Sequence, residues 1–314
     1  MLPPGMSGFV DFNPEKDIPS LEGKVVFVTG GTAGLGKSSV LALAKHQPSH
    51  VYFSGRNAKA ADSVIDEIKK SSPGVGATFV KLDMNSLAAV KGSCSQFTHD
   101  RLDILMCNAG IMDQPAAVST DGYETHFATN HLAHAMLIQQ LLPIMLKTAE
   151  LPGSDVRIVS NTSLAWQIHP KEGIAFETLR KDKPGFVGSY YSYGQSKIAN
   201  IIYAREIARR YPQITSVSIH PGVVKTDMVN TLPLARRAIV YVSQFVQGVG
   251  LLEPSQGCLS QLWAAAGAKK RELLNGAYYR PVGVLSNDTL NKTATDPKLA
   301  EELWTWTQGV LANF

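Results

Sequence analysis

The chain has 314 residues and a net charge of +4, from 30 Lys and Arg against 26 Asp and Glu. Hydrophobic residues make up 44 % and charged residues 18 %, a globular balance that argues against a disordered, fibrous or membrane-spanning protein. The basic residues are scattered, with only short clusters such as Lys269–Arg271, so no nucleic-acid-binding stripe is present.

Residues 1–20 are rich in Pro, Gly and charge and read as an arm laid on the surface or left mobile. They contain no apolar run and no basic start, so they are no secretory leader, and a cytoplasmic location is the expectation. From Lys24 the pattern changes. VVFVTG (25–30) is a β-branched run expected as a strand buried on both faces. A glycine loop and a helix over 37–46 follow. HVYFSG (50–55) reads as a second strand, 60–70 as a helix with Val64, Ile65 and Ile68 on one face, and 77–83 as a third strand. Then come a helix over 86–97, a fourth strand over 102–110, a long helix over 123–148 and a fifth strand over 156–163. The Gly-, Pro- and Lys-rich stretch 164–192 reads as an excursion flanking an active site. A helix over 193–211 and a sixth strand over 214–222 complete the pattern.

This alternation implies an α/β fold, a doubly wound parallel sheet flanked by helices. It runs on without a break, so residues 21–314 read as one domain behind the arm. The late apolar stretch 238–252 is too short and too polar to span a membrane. Three cysteines, Cys94, Cys107 and Cys258, without paired spacing make a disulfide framework or a zinc site improbable. His126, His131 and His134 share one helix but lack a partnering carboxylate or cysteine, so no metal is expected.

Thr29–Gly36 spells T-G-x-x-x-G-x-G between the first strand and the first helix. Glycine supplies the tight turn and the close backbone approach, and the helix N-terminus offers free N–H groups and a positive dipole end to a pyrophosphate. Gly30, Thr32, Gly34, Leu35 and Gly36 are therefore expected at a dinucleotide. An NAD enzyme usually places a carboxylate at the end of the second strand. Here that position carries Ser54, Gly55 and Arg56, with Lys59 beyond, and no Asp or Glu between 51 and 61. A guanidinium suits a 2′-phosphate that a carboxylate would repel, so NADP(H) is the expected cofactor. Lys37 and Lys59 either add to that positive field or are solvated surface charges. Asp83, after the third strand, would accept from the adenine amino group, cap the helix near Ser86, or both. Asn108, Ala109 and Gly110 end the fourth strand with small residues that let the backbone run under the cofactor.

Tyr193 and Lys197 lie four apart on one helix face, in Y-G-Q-S-K. A phenol has a pKa near 10, and bringing it to neutrality takes about 4 kcal/mol of differential stabilisation. A neighbouring ammonium, together with the positive charge of an oxidised nicotinamide, is expected to supply that and make a general acid–base unit. Thirty residues upstream Ser163 ends a strand, with Ser160 as a less favoured alternative for the same hydroxyl. Cys107, beside the cofactor strand, reads as a small packing residue.

TGGTAGLG, NAG, YGQSK and HPGVVKT (220–226) together resemble the short-chain dehydrogenase/reductase family, over about residues 23–226 in family order. Asn275–Tyr279 and Leu303–Trp304 resemble its retinol-dehydrogenase-like branch and fungal reductases of secondary metabolism. The resemblance implies a seven-stranded Rossmann-type sheet and a catalytic tetrad. In it Ser163 orients the substrate oxygen, Tyr193 exchanges its proton, and Lys197 lowers the phenol and holds the nicotinamide ribose. Asn130, inside a helix that its buried amide would distort, keeps a relay water. Asn108, Pro221, Gly222, Val224 and Thr226 would contact the cofactor. Cys107 stands where the family often has Asn, and Asn161–Ser163 replaces the usual V-S-S. The resemblance further implies a substrate loop at about 227–252 and a homodimer or homotetramer. Leu232, Leu234, Ile239, Val240, Tyr241 and Phe245 in that loop would suit a bulky lipophilic or aromatic substrate, or would pack an ordinary amphipathic helix against the body or a partner subunit. Trp166, Phe186, Tyr190 and Tyr191 are expected to line an apolar pocket. The expected activity is NADP(H)-dependent interconversion of a carbonyl and an alcohol. The alternatives are an imine or activated C=C reductase on the same scaffold, or a non-catalytic NADP-sensing module.

Overall fold

Val25, Val26, Phe27 and Val28 are all buried, and their alternation sends each to a different side. Val25 and Phe27 enter one core cluster, and Val26 and Val28 enter another. That is the behaviour of a strand covered by helices on both faces. The computed structural model describes residues 10–112, 114–181, 185–222, 224 and 252–314, apart from the side chains of Phe186 and Val187. Thr226, residues 1–9 and the expected substrate loop up to residue 251 lie outside the described residues, as does the Phe186 side chain.

The strands are β1 (Val25–Val28), β2 (His50–Gly55), β3 (Gly76–Lys81), β4 (Ile104–Cys107), β5 (Arg157–Asn161), β6 (Thr215–Ile219), β7 (Tyr278–Arg280) and β8 (Val284–Leu285). They form one sheet in the order β3-β2-β1-β4-β5-β6-β7-β8. Pairs through β7 are parallel, and β7 with β8 is antiparallel. The expected Rossmann-type winding is present, with eight strands in place of seven. The addition arises because Pro281 and Gly283, at φ +70°, turn the chain back along β7 and close the sheet edge with a two-residue strand.

Six helices matter for the site: α1 (Gly34–Ala44), α2 (Ala58–Ser71), α3 (Leu87–Ser93), α4 (Ala133–Ala149), α5 (Gly185–Arg210) and α6 (Pro297–Leu311). Helix α4 is entered through one turn, Thr125–Phe127, and a widened π-turn, Ala128–Leu132, closed by Ala133 N–H on the Ala128 carbonyl. Helix α5 starts eight residues before Tyr193, which therefore sits in its third turn and not, as expected, at the helix start. The glycines and aromatics of 185–193 have low helix propensity, and tertiary packing overrides it. The C-terminal α6 packs on α4 and α5, with Trp304 stacked on Tyr203 and Trp306 against Tyr123, Phe127 and Phe176. No helix among the described residues is long and apolar enough to cross a membrane.

Residues 10–20 are neither loose nor merely laid on the surface. Phe12 and Ile18 are buried in the same core cluster as Val26, and Phe12 fills the space that a Cβ at Gly267 would need. Val10 N–H donates to Val282 at 2.8 Å. Phe12→Ala should therefore lower the free energy of unfolding by about 3 kcal/mol. In urea titration this appears as a lower midpoint with an unchanged slope. A midpoint equal to that of the unaltered protein would show that this segment contributes nothing to the core.

Candidate active site

The strand order reverses between β1 and β4, so the crossovers leave a crevice at their carboxyl ends. The floor of that crevice is a hydrogen-bonded knot. Thr29, just past β1, is fully buried, and its Oγ1 accepts the backbone N–H of Asn108 and of Ala109, each at 2.9 Å. Asn108 Nδ2 donates to Thr29 O at 2.8 Å, and Asn108 Oδ1 accepts from Asn161 Nδ2 at 3.1 Å. A Cβ on Gly36 would run into the Gly30 carbonyl and the Asn108 amide, so only glycine lets α1 start this close to the floor. Ala33 gives α1 no side-chain cap, whereas Asn57, Ser86 and Asp296 cap α2, α3 and α6. The first N–H groups of α1, around Gly34 and Leu35, are thus left to an anion.

The end of β2 adjoins this turn. Gly31 N–H donates to the carbonyl of the buried Ser54, and Gly55 faces Thr32 so closely that a Cβ would meet its hydroxyl. Arg56 and Lys59 follow, exposed and without an ion pair among the described residues. Lys37 is different. It pairs with Glu67 at 2.7 Å, and this contact holds the Glu67 carboxyl below its usual range. The Lys37 ammonium thus has a carboxylate partner within the protein. Asp83 is exposed and accepts from Asn85 N–H at 3.0 Å, while Ser86 caps α3, so Asp83 is not the cap. Pro221, Gly222 and Val224 follow β6, and Val224 bridges to Leu252.

At the other wall, Asn130, Tyr193 and Lys197 are all buried. Gly110 leaves room for Asn130 and Lys197, since a Cβ there would lie 3.1 Å from Asn130 Oδ1 and 3.4 Å from Lys197 Nζ. The Asn130 amide is fully engaged. Oδ1 accepts Ile111 N–H at 2.8 Å, and Nδ2 donates to Ile111 O at 3.0 Å and to Ser196 Oγ at 2.9 Å. The helix distortion expected around Asn130 is the π-turn. Ser163 hydrogen-bonds the Tyr193 side chain and accepts from Ala165 N–H at 3.3 Å. Ser160 instead faces Cys107 behind the sheet, in a small cavity with His131, His134 and Tyr203. Lys197 Nζ lies 5.5 Å from the Tyr193 ring centroid and donates to Asn161 O at 3.4 Å. A Cβ on Gly194 would run into the Ile168 and Ala165 carbonyls, so glycine after Tyr193 lets α5 close on the turn that carries Ser163.

Burial dominates the titration of this wall. It pushes the Tyr193 phenol up to about 12, against the opposing pull of the Ser163 hydrogen bond. It pushes Lys197 down to about 8. In the protein without a nicotinamide, burial outweighs the groups that would lower the phenol. Burial likewise holds the Cys107 thiol up at about 12, as suits a packing residue.

The pattern of the short chain dehydrogenase family matches residues 24–173. An uncharacterized oxidoreductase of Schizosaccharomyces pombe is 36 % identical over 304 residues, covering 95 % of this chain and 87 % of its own length. Retinol dehydrogenase 12 of Mus musculus is 31 % identical over 288 residues, covering 90 % of this chain and 85 % of its own. The chain belongs to the short-chain dehydrogenase/reductase family. A crystal structure of a putative uncharacterized protein from Mycobacterium paratuberculosis shares the fold, with a TM-score of 0.72 at 24 % identity over 95 % of this chain and 97 % of that one. Membership makes this protein an oxidoreductase of a family that uses a nicotinamide cofactor and acts on small molecules.

Several features of this short-chain dehydrogenase/reductase escape a sequence reading. His126 does have a carboxylate partner: its Nδ1 meets Glu124 Oε1 at 2.7 Å, and its ring stands edge-on to Tyr193 at 6.2 Å. The pair is two residues apart and joins only because Glu124 turns inward to cap the first turn of the α4 entry. Among the described residues, no group of three or more His, Cys, Asp and Glu is placed to hold a metal. Trp166 is buried against Tyr278, while Tyr191 is exposed and Tyr190 half-buried. A cavity of about 600 Å³ lies elsewhere, between α5 and α6, and holds none of the predicted site residues.

A ¹³C-lysine titration of the protein without added nucleotide should give Lys197 a midpoint near 8. Exposed lysines should titrate near 10.4. Absence of the shifted resonance in Lys197→Gln assigns it, and a Lys197 midpoint near 10 would show that burial does not control this amine.

Proposed function

We propose that this chain is an NADP(H)-dependent carbonyl reductase or alcohol dehydrogenase for a bulky, lipophilic or aromatic small molecule. The observation that carries the reading is the convergence of half-buried Ser163 with buried Tyr193 and Lys197 beside a glycine turn that opens an uncapped helix. The residues fit a dinucleotide. The Gly30–Gly36 turn and the first turn of α1 would cradle the pyrophosphate, and Asn108–Gly110, Pro221, Gly222 and Val224 would line the path toward the nicotinamide. The 2′-phosphate falls to Arg56, with Lys59 beside it and no acid between 51 and 61 to repel it. Lys197 would hold the nicotinamide ribose. The bound cofactor supplies the hydride that adds to, or leaves, the substrate carbon.

The side chains handle the proton. Ser163 donates a hydrogen bond to the substrate carbonyl oxygen, and Tyr193 gives its phenolic proton to that oxygen as the hydride reaches carbon, so the product is the neutral alcohol. A phenol held near 12 keeps its proton at neutral pH, which suits the reductive direction. In the oxidative direction the positive nicotinamide charge would have to lower it. Asn130 supports the relay through its carbonyl. Tyr191 and Ile168, exposed at 41 % and 40 % on the segments flanking Tyr193 and Gly194, support an apolar substrate, as does the similarity to a retinol dehydrogenase.

A screen of ketones, aldehydes and imines, followed by NADPH absorbance, tests the reaction. Tyr193→Phe should lower kcat by about 10²–10⁴-fold, with the Kd for NADPH within about threefold. Retained turnover would remove Tyr193 from its role. Arg56→Ala should weaken NADPH by about tenfold or more and leave NADH little changed. Lys37→Ala should change neither strongly, because Glu67 already pairs it. Equal loss of both nucleotides in Arg56→Ala would overturn the NADP assignment.

A further inference from the structure

The buried histidines of the α4 entry find no use in the proposed chemistry, yet one of them touches both halves of the site. His134 is 4 % exposed. Its Nδ1 lies 3.0 Å from the backbone carbonyl of Asn130, and its Nε2 lies 2.9 Å from Thr29 Oγ1. These partners set the tautomer. A carbonyl only accepts, so Nδ1 carries the proton and Nε2 of the neutral ring accepts. Thr29 Oγ1 already receives the N–H groups of Asn108 and Ala109, so its single proton is free to be given. Met106 O is 3.3 Å away and His134 Nε2 is 2.9 Å, so the imidazole is the nearer acceptor. Helical side chains lean toward the helix N-terminus, and a residue four further on can therefore reach the carbonyl of a widened turn.

We propose that His134 is a positioning residue, which fixes the Asn130 carbonyl through Nδ1–H and the Thr29–Asn108 floor through Nε2, so that the acid–base wall and the cofactor floor are held by one ring. This rests on the functional reading above for the role of Asn130, but not for the two bonds themselves. Burial keeps the ring neutral, with its pKa down at about 4, so the arrangement persists over the working pH range. The neighbouring His131 makes a different link, from Nε2 to Thr307 on α6 at 3.0 Å, and does not face the floor.

The two bonds are separable, because Asn can mimic Nδ1 and Gln can mimic Nε2. His134→Leu should weaken NADPH binding, read by fluorescence titration, and lower kcat for the best carbonyl from the screen, each by about tenfold. His134→Asn restores the donor to the Asn130 carbonyl and should recover most of the kcat loss but not the Kd. His134→Gln restores the acceptor for Thr29 and should recover the Kd but not kcat. In the unaltered protein, ¹⁵N NMR should show a protonated Nδ1 and an unprotonated Nε2. The opposite tautomer, or a folded His134→Leu protein with unchanged Kd and kcat, overturns the proposal. So does a set of three variants whose Kd and kcat move together with Tm, which is the mark of a merely structural residue. If the unaltered protein turns over nothing in the screen, the functional reading fails, and the Kd series with the NMR tautomer still decides the role of His134.

Discussion

The crevice depends on one fully buried hydroxyl. Thr29 ends the central strand where no further strand pairing is available to the adjacent amides, and a buried N–H without an acceptor is costly. Its Oγ1 answers two of them, from Asn108 and Ala109, and so ties the ends of β1 and β4 together. The Asn108 side chain then returns to Thr29 O and engages Asn161 on β5. Asn161 continues to Gln261, which donates to Ser39 on α1. A polar seam thus runs across the carboxyl ends of three strands to the first helix, with each link consuming a donor that would otherwise be buried and unpaired. Gly30 and Gly36 are needed because this seam leaves no room for a Cβ between the turn and the floor.

The wall of Asn130, Tyr193 and Lys197 shows the complementary cost. Tyr193 and Lys197 are withdrawn from water by α5 packing on the Ser163 turn, and desolvation moves each away from its charged form. Few local charges oppose this, because the surrounding polar atoms, including the Asn130 amide, are already spent on holding backbone. The protein alone therefore holds a protonated phenol and a weakened ammonium close together.

The C-terminal residues are part of this arrangement. Thr307 of α6 meets His131, the residue after Asn130, and Gln308 donates to Tyr203 OH on α5. Trp306 packs on Phe127, just before the π-turn. The length beyond the nucleotide-binding frame braces the distorted turn from behind as well as covering the helices.

Much of this was legible in the order of residue types. The apolar runs specified parallel strands buried on both faces, the glycine spacing specified a tight turn entering a helix, and Y-G-Q-S-K specified a shared helix face, because backbone sterics and helical period act over a few residues. Tertiary structure alone decided which charges are already answered, as with Lys37 on Glu67 and His126 on Glu124. It also decided that α5 begins well before Tyr193, that β8 closes the sheet edge, and that Trp166 belongs to the core. Burial set the phenol high and the amine low in the protein by itself. Local pattern governs conformation, whereas ionisation and hydrogen-bond partnership depend on what the rest of the chain removes from water, and no spacing along the sequence records that.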